Sequence, residues 1–254
     1  MQKIVSGEGT SSILSFQPRR MLTLACPPRP PLQEVSEMLR RRQLVPLAAL
    51  ALLVTVAPAM AGPPLLCHPF DIGDARSLPW GREWSQGRND YNVANLVADT
   101  EAILTPTAPV IVRMETLRRA ALYASLDGTI AAGLLQTLHA RVAAAERAGS
   151  ASPATAMALF DAGYLTETYR QVAQLGHFDG LGRSATIAAV IGKANGKTLM
   201  DRTIALRPDD GAIQFAAALV TAGSDRSAYL QHAAKAREGV AKDPLLARNI
   251  KQLS

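Results

Sequence analysis

The string Cys67-His68-Pro69-Phe70-Asp71 contains the side chains of this sequence that are best suited to chemistry. A thiolate, an imidazole and a carboxylate are all ligand types that metal ions accept. Adjacent residues rarely bind one ion together, however, and no second Cys/His pair follows. Three roles stay open for Cys67: a packed residue of an irregular segment, a thiol that pairs with another chain, and a metal ligand.

A second string, Gly192-Lys193-Ala194-Asn195-Gly196-Lys197-Thr198, resembles the end of a phosphate-binding loop. Such a loop needs four residues between its glycines, so that successive N–H groups wrap the phosphates. Here only Lys193, Ala194 and Asn195 separate the two glycines. The spacing predicts two helices with a bend at Asn195-Gly196 instead, and we expect no cofactor.

Other candidate sites are simpler in composition. Residues 180–184 contain two glycines and a serine before a predicted helix, which suits a helix cap and also an anion site. Trp80 and Trp84 could line a groove for a carbohydrate or peptide, although we favour core packing for both. The sequence contains neither a Gly-x-Ser-x-Gly elbow nor a His-Glu-x-x-His helix.

The candidate residues from Cys67 to Trp84 lie in a stretch that we expect to be an irregular arm, residues 62–90. Its four prolines and its glycines disfavour regular structure. Because the arm also carries Phe70, Trp80 and Trp84, which are too apolar to leave in water, we expect it to pack across the rest of the domain.

Residues 91–254 are predicted to form a helical domain. Apolar residues recur there at helical spacing, and no segment alternates with period two. We expect Glu115 and Arg119 to pair on the outer face of the second helix. The sequence therefore predicts an all-α fold, with helices in the ranges 93–104, 110–124, 130–145, 153–175, 184–194, 197–206, 211–221 and 225–242.

The run from Met200 to Asp210, which ends in Leu-Arg-Pro-Asp, resembles the second helix and closing turn of a tetratricopeptide repeat. The proline recurs at Pro244, about one repeat period after Pro208. The resemblance covers residues 184–244. It implies antiparallel helical hairpins stacked into a curved surface, an α-solenoid-like arrangement, and it identifies no ligand.

Residues 38–61 have the three parts of an export signal. Arginines follow Met38, an uncharged apolar run extends from Leu44 to Val56, and Ala59-Met60-Ala61 provides small residues for cleavage. We expect cleavage after Ala61, with an uncleaved membrane anchor as the alternative. Residues 1–37 are expected to be a disordered upstream extension that is not part of the native product.

The formal net charge of +6 is concentrated at the start of the chain. Residues 1–61 hold seven Lys/Arg and three Asp/Glu, whereas residues 62–254 hold 20 and 18, a net charge of +2. Scattered charges of both signs are typical of an ordinary solvated surface. We therefore expect no nucleic-acid partner.

The leading hypothesis is an exported, non-enzymatic protein of the periplasm or cell envelope that binds an unknown protein or peptide. The alternative is a metal- or thiol-dependent enzyme with a site around Cys67, His68 and Asp71. A purely structural envelope component is the third possibility. Trp80 and Trp84 complete the set of candidate functional residues.

Overall fold

The helix Pro153–Leu175 lies against the helices Val110–Ala124, Gly128–Ala148, Arg183–Ile191 and Gly196–Leu206, while the helix Gly211–Thr221 packs along the helix Arg226–Gly239. The computed structural model describes residues 63–82, 87–149, 152–175 and 183–253. Within those ranges the chain forms nine α-helices and no β-strand, so the predicted all-α fold is confirmed there. The helices are α1 (Leu96–Ile103), α2 (Val110–Ala124), α3 (Gly128–Ala148), α4 (Pro153–Leu175), α5 (Arg183–Ile191), α6 (Gly196–Leu206), α7 (Gly211–Thr221), α8 (Arg226–Gly239) and α9 (Pro244–Asn249).

Capping side chains set many of the helix starts. Asp127, Asn195, Asp210, Asp225 and Asp243 each precede a helix, and each accepts hydrogen bonds from backbone N–H groups of the first turn. One such cap stabilises a helix by about 1 kcal/mol. The cap at Asn195 begins α6, so the predicted pair of helices with a bend at this position is confirmed.

Two helix ends differ from the prediction. The helix α5 ends before 194 because Gly192 adopts a left-handed φ of 54°, which glycine accepts and which ends a helix. The helix predicted over 225–242 ends at Gly239 and continues only as a 3-10 turn, Val240–Lys242. Asp243 then caps α9, a short helix that begins at Pro244 and that the periodicity did not predict.

Paired glycines let two helix pairs approach closely. A Cβ atom on Gly196 of α6 would lie 2.5 Å from the carbonyl oxygen of Gly163 in α4. Similarly, a Cβ atom on Gly211 of α7 would lie 2.8 Å from the Cα atom of Gly239 in α8. Because a larger residue would force the backbones apart, these glycines fix α6 against α4 and α8 against α7.

Residues 63–82, called the leading segment below, form no helix and run across the helical body. The ring of Phe70 meets Phe215 of α7 edge-on, with 6.1 Å between centroids. The leading segment is thus part of the same hydrophobic core as the helices. Its apolar side chains in that core are Leu65, Leu66, Phe70, Ile72 and Leu78.

The leading segment also changes the environment of α2. The predicted pair between Glu115 and Arg119 forms, with 2.6 Å between Oε1 and Nε, but the Glu115 side chain is fully buried. The prediction that this pair lies on the exposed face of the helix is therefore wrong for Glu115. One face of α2 packs on α4, and the leading segment covers the polar face. The periodicity of a single helix cannot predict that a distant segment covers its polar face.

Several sequence predictions concern residues outside the described ranges. They include the upstream extension 1–37, the export signal 38–61, Trp84, and most of the candidate anion site at 180–184. Of the helices that are described, none combines the length and the hydropathy needed to cross a membrane.

Candidate functional site

The carboxylate of Glu115 on α2 is shared by two arginines and one backbone amide. Arg118 donates two hydrogen bonds of 2.8 Å to it, and Arg119 donates one of 2.6 Å. The N–H of Phe70 donates a fourth, at 3.0 Å. The side chains of Glu115 and Arg118 have no solvent exposure. The i, i+3 and i+4 spacing places all three charges on one helix face.

Both arginines also bind carbonyl oxygens of the leading segment. Arg118 Nη1 donates to the Leu66 oxygen at 3.2 Å, and Arg119 Nη1 donates to the Leu78 oxygen at 2.6 Å. Hydrogen bonds with an ionised donor or acceptor are roughly twice as strong as neutral ones. With the bond to Glu115, these three side chains of α2 hold the main chain of the leading segment at three points.

The Glu115 carboxylate stays ionised despite its burial. Burial alone raises the pKa of Glu115, but the hydrogen bonds and charge of Arg118, the charge of Arg119 and the Phe70 N–H together lower it below its ordinary 4.5. A carboxyl with a lowered folded-state pKa stabilises the fold above its unfolded pKa, and that stability is lost as the pH falls through the folded-state pKa. The network is therefore intact at neutral pH.

Trp80 lies beside this network and is partly buried. Its ring meets Tyr123 edge-on at 5.3 Å, and the Arg118 guanidinium carbon lies 5.1 Å from the ring centre. The Tyr123 hydroxyl donates to the Pro79 carbonyl at 2.7 Å. Aromatic contact and cation–π attraction thus fix the end of the leading segment.

Residues from distant helices bind the other end of the leading segment. Asn249, which is buried at the end of α9, accepts the Asp71 N–H at 2.8 Å and donates to the Asp71 carbonyl at 2.8 Å. The Gln171 side chain of α4 accepts the Leu65 N–H, also at 2.8 Å. A paired donor and acceptor is what a neighbouring β-strand offers. The Asn249 amide therefore satisfies both main-chain polar groups of Asp71.

The structure does not assemble Cys67, His68 and Asp71 into a metal site. Cys67 is buried, His68 is half-buried, and the exposed Asp71 carboxylate accepts the Gly73 N–H and lies 3.4 Å from Arg248. The Gly73 hydrogen bond is the main cause of the lowered pKa of Asp71, and the charge of Arg248 adds to it. No group of three or more His, Cys, Asp or Glu side chains in the described ranges could hold a metal ion.

A second buried ion pair joins α2 to α4. Arg113 Nη1 lies 2.7 Å from the Asp161 carboxylate, and both side chains are buried. The same guanidinium donates to the carbonyls of Thr105 and Ala108, in the loop between α1 and α2. Arg141 of α3 lies 3.6 Å from Asp161. This cluster positions the loop that precedes α2.

The pKa of Asp161 is raised to about 6, because the cost of burying the carboxylate outweighs the attraction of Arg113 and Arg141. One carboxylate oxygen, Oδ1, has no hydrogen-bond partner among the described residues. Asp161 is therefore ionised and paired at neutral pH, and it takes up a proton under mildly acidic conditions.

Sequence reasoning missed several of these residues. The spacing Glu115-x-x-Arg118-Arg119 could have indicated a shared carboxylate, since it places two arginines within reach of one glutamate. Asn249 lies 178 residues from Asp71, and Gln171 lies 106 residues from Leu65. No local pattern predicts contacts over such separations.

We predict that Glu115→Gln lowers the free energy of unfolding at pH 7 by about 3 kcal/mol or more, because it leaves buried arginines without a counter-charge. Urea unfolding followed by circular dichroism measures this change. The matched control is Glu101→Gln at an exposed position of α1, which should change the stability by less than about 0.5 kcal/mol. Equal effects of the two substitutions would contradict the role given to Glu115.

We predict that the free energy of unfolding of the wild type decreases relative to that of Asp161→Asn as the pH rises from 3.8 to about 6. The lower limit is the ordinary pKa of an aspartate, and the upper limit is the folded-state pKa of Asp161. The folded state binds this proton more tightly than the unfolded state, so stability is lost as the proton leaves. The loss should reach about 3 kcal/mol. Urea unfolding across this pH range tests it, with the exposed Asp209→Asn as control. Parallel pH profiles of the wild type and Asp161→Asn would refute the raised pKa.

Comparison with known proteins offers no relative from which a function could be transferred. The chain matches no protein-family model, no curated protein and no solved structure.

Proposed function

We propose that this chain is an exported, non-enzymatic protein whose helical body binds a protein or peptide. The observation that supports this most strongly is how the body holds the leading segment. Its side chains hydrogen-bond main-chain N–H and C=O groups along the segment, and those groups are common to all polypeptides. The side chains are Glu115, Arg118, Arg119, Tyr123, Gln171 and Asn249.

Export is proposed from the sequence of residues 38–61, in which arginines, an apolar run and small residues follow one another. Cleavage after Ala61 would make Gly62 the first residue of the working protein, only a few residues before Leu65. The periplasm or another extracytoplasmic compartment is the proposed location. The near-balanced charge of residues 62–254 fits a polypeptide partner better than a nucleic acid.

We also propose that the C-terminal helices stack as hairpins, in the manner of tetratricopeptide repeats. The packing of α7 along α8 supports this for one helix pair. Because α5 and α6 both pack on α4, the proposed stacking is confined to the helices after α6. The leading segment contacts this region through Phe215 of α7 and Asn249 of α9.

The alternative, a metal- or thiol-dependent enzyme around Cys67, His68 and Asp71, gains less support from the geometry. The Asp71 carboxylate is engaged with Gly73 and Arg248, and the Cys67 side chain is buried. A reactive cysteine is typically partly exposed in an electropositive environment.

The proposal predicts that the chain, tagged at its C-terminus and expressed in its native host, is recovered from the extracytoplasmic fraction with Gly62 as its first residue. It should carry a co-purifying polypeptide in a constant molar ratio. Treatment with EDTA should leave this association unchanged, because the proposed binding uses no metal. N-terminal sequencing and quantitative mass spectrometry measure these outcomes.

Recovery of peptides from residues 1–37 in the native product would contradict the proposed start. Loss of the co-purifying polypeptide on chelation would favour the metal-dependent alternative. A chain recovered alone under all conditions would argue against polypeptide binding.

A further inference from the structure

The loop between α1 and α2, residues 104–109, is bonded to the helical body by two arginines, Arg113 and Arg141. Together their guanidiniums donate to three main-chain carbonyls of the loop, those of Leu104, Thr105 and Ala108. Both guanidiniums also meet the carboxylate of Asp161, at 2.7 Å from Arg113 and 3.6 Å from Arg141. One carboxyl group of α4 therefore lies behind all three contacts with the loop.

The Asp161 carboxyl can take up a proton without losing a hydrogen bond. Its Oδ2 atom accepts from Arg113, whereas Oδ1 is buried and has no hydrogen-bond partner among the described residues. A proton on Oδ1 therefore leaves the bond to Arg113 in place. Burial of the ionised form is costly, which is why the pKa of Asp161 is raised to about 6.

The charges that act on Asp161 come from Arg113 of α2 and Arg141 of α3. The loop and α7 contain no charged residue, and α5 contains only Arg183, at its start. The charged side chains of α1 and α6 are exposed or bonded to other residues; they are Asp99, Glu101, Lys197, Asp201 and Arg202. His139 lies two residues before Arg141 and so on nearly the opposite face of α3. Asp161 is thus the titrating group of this cluster.

The loop is well placed to open locally. Four of its six residues are exposed, namely Thr105, Pro106, Thr107 and Pro109. Segments with few buried contacts open more readily than the whole protein unfolds. The Arg141 side chain is 30% exposed while it contacts Asp161, so it extends from the buried carboxylate to the surface. Movement of the loop together with Arg141 therefore gives water a path to Asp161.

We infer that Asp161 is a proton-operated lock on the loop 104–109: the protonated carboxyl favours the closed loop, and the ionised carboxylate favours an open loop in which water reaches it. The sign follows from linkage. The closed form keeps the carboxyl dry and binds its proton more tightly than the hydrated open form, so mild acid stabilises the closed form. The lock is independent of the proposed binding partner, because it uses only groups of α2, α3, α4 and the loop.

The test is amide hydrogen exchange of the full chain, followed by NMR between pH 5 and pH 7. The reporters are the N–H groups of Leu104 and Ala108, which bond to the Thr100 and Thr105 carbonyls. Dividing the exchange rate of an unstructured peptide at each pH by the measured rate gives a protection factor. Protection factors of the reporters below those of the α4 amides identify local opening rather than global unfolding.

We expect the protection factors of the two reporters to fall about 10-fold from pH 5 to pH 7. A carboxyl with a pKa of about 6 in the closed form and its ordinary 3.8 in the open form shifts the opening equilibrium by that factor. Constant protection factors, or protection factors that rise with pH, would overturn the lock.

Three variants show whether Asp161 causes the change. Asp161→Asn cannot ionise, so its reporters should be equally protected at pH 5 and pH 7. The exposed Asp209→Asn is the matched control and should keep the wild-type dependence. Arg141→Gln removes one positive charge beside Asp161, which raises the pKa of the carboxyl and should move the midpoint of the profile to higher pH.

A dependence that persists in Asp161→Asn would assign the titration to another group, such as His139, and would also overturn the lock. If Asp161→Asn does not fold, the wild-type and Arg141→Gln profiles decide. An unshifted midpoint in Arg141→Gln then counts against the lock.

Discussion

The buried carboxylate of Glu115 is the constraint on which the arrangement of the leading segment depends. Moving one such ion from water into a protein costs several kcal/mol unless its partners replace the lost hydration. Two arginines and the Phe70 N–H supply four hydrogen bonds to the carboxylate. The arginines are satisfied in turn by carbonyls of the leading segment. Neither α2 nor the segment has this environment without the other.

A second buried arginine–carboxylate pair that also binds main-chain carbonyls lies on the other side of α2. Arg113 neutralises Asp161 and also holds the carbonyls of the loop before α2. Arg141 lies near Asp161 and donates to the Leu104 carbonyl at 2.9 Å. In both clusters a guanidinium donates to a carboxylate and also to carbonyl groups of an irregular main chain. Arginine is suited to this task because its donors are rigid and always charged.

The helical part of the fold follows from local rules, and the sequence therefore predicts it. The stripe along α2, the start of α4 at Ser152-Pro153 and the bend at Asn195 all depend on residues within one or two turns. The site depends on contacts between distant parts of the chain. Glu115 looks like a surface residue in its own helix, and only the position of the leading segment shows that it is buried.

The most direct test of this account is amide hydrogen exchange of the leading segment, measured by NMR at neutral pH in the full chain. The N–H groups of Leu65, Phe70 and Asp71 are bonded to side chains of the helical body. The account predicts that they exchange about as slowly as the amides of α2, since opening either element disrupts the same network. Exchange at the rate of an unstructured peptide, with the amides of α2 still protected, would contradict it.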